Sequence, residues 1–226
     1  AEELSGDADA DGDLLGCYLV RGRIDPVIEL ASPMAGSEEL DMAADYAVRT
    51  FREAGFDAVW TEPVAVPHWV RGAESARLTA PVDQPLAVLG LGASVGTPPQ
   101  GIEAEVIVVS SFDELESRAA EAAGRVVLFD PPWQGYGHAA RYRTGGAVAA
   151  ARHGAVAALV RSPTGRSLAT LHTGVMYYAD DVPRIPAATV TVEGVGRLHR
   201  LVDAGVPVRV RLHMEARTLP DREQPT

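Results

Sequence analysis

Apolar residues fall at helical spacing in one early stretch and at strand spacing through most of the rest. Leu40, Ala44, Ala47, Val48 and Phe51 share one face of a helix, which predicts an amphipathic helix over 40–54. Ser37 is placed to cap its start, Glu38, Glu39 and Asp41 complement the helix dipole, and Gly55 stops it. Residues 56–66 read as a strand ended by Pro67. From His68 onward short β-rich runs recur at 75–78, 86–89, 104–109, 125–129, 155–160, 188–192 and 206–212. Helices are predicted at 112–123, 147–153 and 193–204, stopped by Gly124, Gly154 and Gly205, and each leads straight into a strand. The pattern predicts an α+β chain: a partly open β-barrel or sandwich with flanking short helices, preceded by a helix–strand segment. Residues 218–226, TLPDREQPT, are polar with two prolines and read as a linker.

Composition narrows the function classes. The chain has 226 residues, 46% hydrophobic and 23% charged, which is a globular balance. Its formal net charge is −11 and its basic residues are all arginine. That sign disfavours nucleic acid and anionic membranes as partners, since both need a basic footprint. No apolar run reaches the roughly 18 residues of a membrane span. The opening residues 1–13 are acidic and polar, without the basic and apolar regions of an uncleaved signal peptide. Asp7, Asp9, Asp11 and Gly12 fit the start of a calcium loop, but its twelfth position is Tyr18 instead of Glu, so a solvated tail is the better reading. Cys17 is the single cysteine, which excludes an internal disulfide and a Cys-rich zinc site.

Three sets of residues could carry chemistry. Gly92-Ala93-Ser94-Val95-Gly96 spells G-x-S-x-G, the nucleophile elbow of serine hydrolases. An elbow needs a helix directly after the serine, and Pro98-Pro99 forbids one, so a Gly/Pro-rich loop between strands is expected instead. The histidines, His68, His138, His153, His172, His199 and His213, form no H-E-x-x-H. His213 and Glu215 would share a strand face, but two ligands without a third make a poor zinc site. His153 and His199 are expected to pack or to face solvent. The third set is aromatic and basic: Trp133, Tyr136, His138, Arg141, Tyr142 and Arg143 crowd one Gly-broken loop, and His172, Tyr177 and Tyr178 a second. Aromatics with Arg on loops suit a substrate- or partner-contact surface, and equally suit rings anchoring loops to a core edge.

Taken in order, several motifs resemble the zinc exopeptidases of the aminopeptidase Y and carboxypeptidase Q family. They are GSEEL at 36–40, EPVAVPHWVRGAES at 62–75 and LGLGASVGTPPQGIEAEVIVVSSFDEL at 89–115. YRTGGAVAAARHGAVAALVRS at 142–162, HTG at 172–174 and VPRIPAATVTVE at 182–193 continue in the same order. The first 35 residues do not share the likeness, and Leu30-Ala31-Ser32-Pro33-Met34 stands where the family has Gly-Pro-Arg. The resemblance implies an acidic tail and lead-in at 1–35, a helix–strand segment of a peptidase body at 36–63, a protease-associated (PA) domain at 64–217, and a linker at 218–226 toward a catalytic domain. It implies that the family's two zinc ions and catalytic residues lie beyond this chain, which by itself carries no cofactor and no activity. Small peptides or the peptidase domain would be its partners, homodimerisation is a family trait, and the family suggests a secreted or periplasmic location. The alternative is a stand-alone PA module that binds peptides or proteins without catalysis, and a serine hydrolase using Ser94 is a third reading.

Overall fold

The computed structural model describes residues 35–226, so the acidic tail, the calcium-loop-like segment and Cys17 lie outside the described residues. The chain divides into two compact units: Trp69–Thr218, and a second that joins Leu219–Thr226 to the residues up to His68.

In the second unit, helix α1 (Glu38–Glu53) begins where Ser37 accepts a hydrogen bond from the Leu40 amide, with acidic residues in its first turn. No residue of α1 is buried. The stretch 56–62, expected as strand, is irregular; the strand is β1 (Pro63–Val70), displaced toward the C-terminus. Its partner is β10 (Arg217–Pro225), so the predicted polar linker is instead a strand. Glu62 and Thr226 exchange both backbone hydrogen bonds at 3.0 Å. Polar side chains of β10 anchor the start of α1: Gln224 accepts from the Gly36 amide at 2.8 Å and donates to the Ser37 carbonyl at 2.9 Å, while Arg222 pairs with Asp41. Prolines fit here because a two-stranded ribbon leaves one side of each strand without ladder partners.

The larger unit is an eight-stranded sheet in the order β3-β2-β9-β5-β6-β7-β8-β4. Its members are β2 (Glu74–Ala80), β3 (Gln84–Leu86), β4 (Val88–Gly90), β5 (Ile102–Val109), β6 (Val126–Phe129), β7 (Ala157–Arg161), β8 (Ala187–Val190) and β9 (Arg209–Met214). The run 86–89 is thus not one strand: Ala87 alone separates β3 from β4, which lie at opposite ends of the sheet order. One residue can join those ends only if the sheet curls almost shut. Glu74 on β2 closes the seam by accepting the Gly90 amide at 2.9 Å, and Arg71 donates to the Gly90 carbonyl.

Strand β5 links two kinds of sheet. Its first half pairs antiparallel with β9 and its second half parallel with β6. The parallel block β5-β6-β7-β8 is covered on both faces, which explains the unbroken apolar runs VIVV, VVLF and AALV. On β2 and β9 buried and more exposed positions alternate.

Helices α2 (Phe112–Ser117), α3 (Ala119–Ala122), α4 (Tyr136–Arg152) and α5 (Val192–Asp203) flank the sheet. The predicted helix 112–123 is two pieces broken at Arg118, with Ser111 capping the first as expected. The larger difference is α4, a 17-residue helix where a seven-residue one was expected. Gly145 and Gly146 argued against helix there, since each costs about 1 kcal/mol relative to Ala. Packing reverses that: a Cβ on Gly146 would meet the Phe129 ring at 3.0 Å, so glycine lets α4 lie close on the sheet.

Candidate functional site

Ser94 is fully buried, and its hydroxyl is committed to structure. It accepts the Ala187 amide at 2.9 Å and donates to the Val95 carbonyl at 3.0 Å. The segment after it is irregular, as Pro98-Pro99 predicts, and no helix follows. Gly96 serves proximity instead of an elbow: a Cβ there would stand 2.6 Å from the Met214 carbonyl oxygen. Ser94 is therefore scaffold. Ser94→Ala is expected to cost about 1–3 kcal/mol by orphaning the Ala187 amide. The wild-type chain is expected to stay unlabelled by a fluorophosphonate probe; labelling at Ser94 would contradict this assignment.

The aromatic and basic residues separate into distinct environments. Tyr136, His138, Arg141, Tyr142 and Arg143 lie on α4, which corrects their expected placement on a loop. The predicted helix-forming and loop-forming stretches were divided in the wrong place because Gly137, Gly145 and Gly146 look like breaks. Trp133 precedes the helix and packs on Gly165, and Arg141 is exposed. Tyr142 belongs to the core, stacked on Phe112 at 4.5 Å and tilted against Phe129 at 5.8 Å. His138 meets Tyr142 edge-on at 5.5 Å, with Nδ1 buried and unpartnered.

Tyr178 is a structural bridge. Its phenol accepts the Val95 amide at 3.0 Å and donates to the Ile185 carbonyl at 2.6 Å. Burial holds the phenol protonated above its ordinary value near 10. The native state therefore keeps this proton at a pH where the unfolded chain has begun to lose it. The stabilisation is fully present below pH 10 and declines as pH rises beyond it. Urea unfolding between pH 8 and 11 is expected to show that decline, and Tyr178→Phe to flatten it while lowering stability at pH 8.

Tyr136, Arg143 and His172 do converge. Tyr136 stacks on His172 with centroids 5.4 Å apart. Arg143 Nη1 donates to the Tyr136 hydroxyl at 2.9 Å, with the guanidinium 5.7 Å from the ring centroid. The same guanidinium presses on Gly174, where a Cβ would stand 2.8 Å from its Cζ. The cluster is built from the segments that follow β6 and β7. Tyr177, 66% exposed, and Tyr178 instead wall an open trough of about 570 Å³ whose floor includes Phe112, Leu115, Val148 and Ala149.

One constellation escaped the sequence. Asp130, directly after β6, accepts from His199 Nδ1 at 2.6 Å and from Arg161 at 3.2 Å. His199 is thus paired, as is His153, which lies 2.9 Å from Glu116. The only sequence signal was an acid at a strand end, and its partners lie 31 and 69 residues away. No hydroxyl or thiol among the described residues bonds His199, so the pair lacks a nucleophile to activate.

Among the described residues no group of three or more His, Cys, Asp or Glu could hold a metal ion. His213 and Glu215 approach to 3.8 Å as the strand alternation predicts, but Glu215 already accepts the Ala73 amide. These residues do not fit a zinc centre. No helix among them is long and apolar enough to cross a membrane.

No known family profile matches the chain. Carboxypeptidase Q of Xenopus laevis is 49% identical over 190 residues, 84% of this chain and 40% of that protein. The human carboxypeptidase Q is 43% identical over 202 residues, 89% of this chain and 43% of that protein. Among solved structures, a peptidase M28 precursor from Shewanella amazonensis matches with a TM-score of 0.85 at 30% identity, covering 95% of this chain and 49% of that one. A zinc aminopeptidase from Bacillus subtilis shares the fold, with a TM-score of 0.62 at 16% identity over 92% of this chain and 45% of its own. The chain thus spans about two fifths of the length of the curated relatives it matches. Over most of its length the chain is therefore similar in sequence to carboxypeptidase Q, and it has a mixed α+β fold shared with the corresponding part of the M28 peptidase precursor.

Proposed function

We propose that this chain is the non-catalytic portion of a zinc exopeptidase that hydrolyses small peptides, dipeptides foremost. Residues 64–217 act as the PA domain, shaping access to an active site built elsewhere in the protein, and residues 36–63 pack on the peptidase body. Zinc and the catalytic groups belong to that body, and the chain alone is inactive. An exported location accords with this role.

The observation that carries the proposal is the apolar stripe of α1. Leu40, Ala44, Ala47, Val48 and Phe51 line one face of the helix, yet none is buried. Phe51 is 48% exposed, and its ring neighbour Phe56 is 61% exposed. A half-covered apolar stripe ending in an exposed Phe51 suits a contact face, and the unmatched three fifths of the relatives' length can supply the partner. A stand-alone module would need the stripe covered by its own residues or by a second copy. The test compares zinc-dependent dipeptide hydrolysis by the chain alone and by the polypeptide extended to the relatives' full length.

A further inference from the structure

Arg143 is a guanidinium without a counter-ion among the described residues. Three other half-buried arginines of this acidic protein have a carboxylate: Arg71 has Glu74, Arg118 has Glu114, and Arg161 has Asp130. Arg143 has none within 4 Å among the described residues, and its Nε is buried without any hydrogen-bond partner. An unsatisfied buried donor costs free energy, and the rest of the guanidinium is held in place by its surroundings. The Gly174 backbone supports one side of the guanidinium, and the Tyr136 hydroxyl fixes Nη1 at 2.9 Å. Tyr136 in turn is braced on His172 and is 47% exposed. Position, orientation and partial desolvation are all set before an anion arrives, and those conditions make a charge-assisted hydrogen bond strong.

From this geometry we infer that Arg143 binds the carboxylate of a peptide, with Tyr136 and His172 offering aromatic surface to the adjoining residue. Planar guanidinium matches planar carboxylate with two parallel hydrogen bonds, and a neighbouring ring accepts an apolar side chain. Naming the anion as a peptide carboxylate rests on the exopeptidase reading; the anion site itself does not. Binding to the isolated chain therefore tests the site separately from hydrolysis by the extended protein.

The experiment is an NMR titration of the 226-residue chain with N-acetyl-alanyl-phenylalanine and with its C-terminal amide. The acid is expected to shift the His172 and Tyr136 resonances and to bind at least about tenfold more tightly than the amide. Arg143→Met is expected to remove that preference while keeping the wild-type spectrum elsewhere, and Arg143→Lys to restore part of it. Equal binding of acid and amide, binding of neither, or an unchanged preference in Arg143→Met would overturn the assignment. Inorganic phosphate competing as well as the acid would also overturn it, by making the site a general anion site.

Discussion

Replacing Phe129 by Ala is expected to destabilise the Trp69–Thr218 unit by about 3–5 kcal/mol. Phe129 closes strand β6, has no exposed surface, and lies where the sheet, α2 and α4 meet. Its ring meets Phe112 edge-on at 5.6 Å and Tyr142 at 5.8 Å, and covers Gly146 on α4. Truncation removes the transfer energy of a buried ring and leaves a cavity that neighbouring β-strands cannot collapse to fill. In a unit this size the loss corresponds to a midpoint lower by on the order of 10 °C. The consequence reaches the candidate site, because α4 carries Arg143 and Tyr136. Thermal unfolding followed by near-UV circular dichroism measures it; a loss under about 1 kcal/mol would contradict the described aromatic core.

Phe51→Ala is expected to behave in two ways depending on context. In the chain alone Phe51 is half exposed and touches only the Phe56 ring among aromatic partners, so the substitution costs about 1 kcal/mol. In the extended protein the proposal buries the α1 stripe, and the same substitution then costs about 3–5 kcal/mol. The difference between contexts is the informative quantity, because α1 itself is common to both. Urea unfolding of the two forms measures it, and an equal, small effect in both would remove the basis for docking α1 on a peptidase body.

The sequence showed most clearly what depends on local chemistry. Ser37 and Ser111 cap helices where expected, and Pro98-Pro99 rules out an elbow after Ser94. The apolar runs of β5, β6, β7 and β8 are strands because burial on both faces leaves a plain signal. What escaped depends on distant partners. Helix α4 contains Gly146, whose value appears only against Phe129, and β10 is a strand because it pairs with the distant β1. The split of 86–89 into β3 and β4 follows from curling of the whole sheet, which no short window reveals. At the candidate site, the sequence grouped residues by their nearness along the chain, and the structure divides them differently. Tyr142 and Tyr178 hold the fold, while Tyr136, Arg143 and His172 meet across 36 residues of chain.

The most direct test of the central claim is dipeptide turnover with added zinc, measured for the purified 226-residue chain and for the polypeptide extended to the length of its relatives. The account predicts no turnover by the chain and zinc-dependent turnover by the extended protein; zinc-dependent hydrolysis by the chain alone would contradict it.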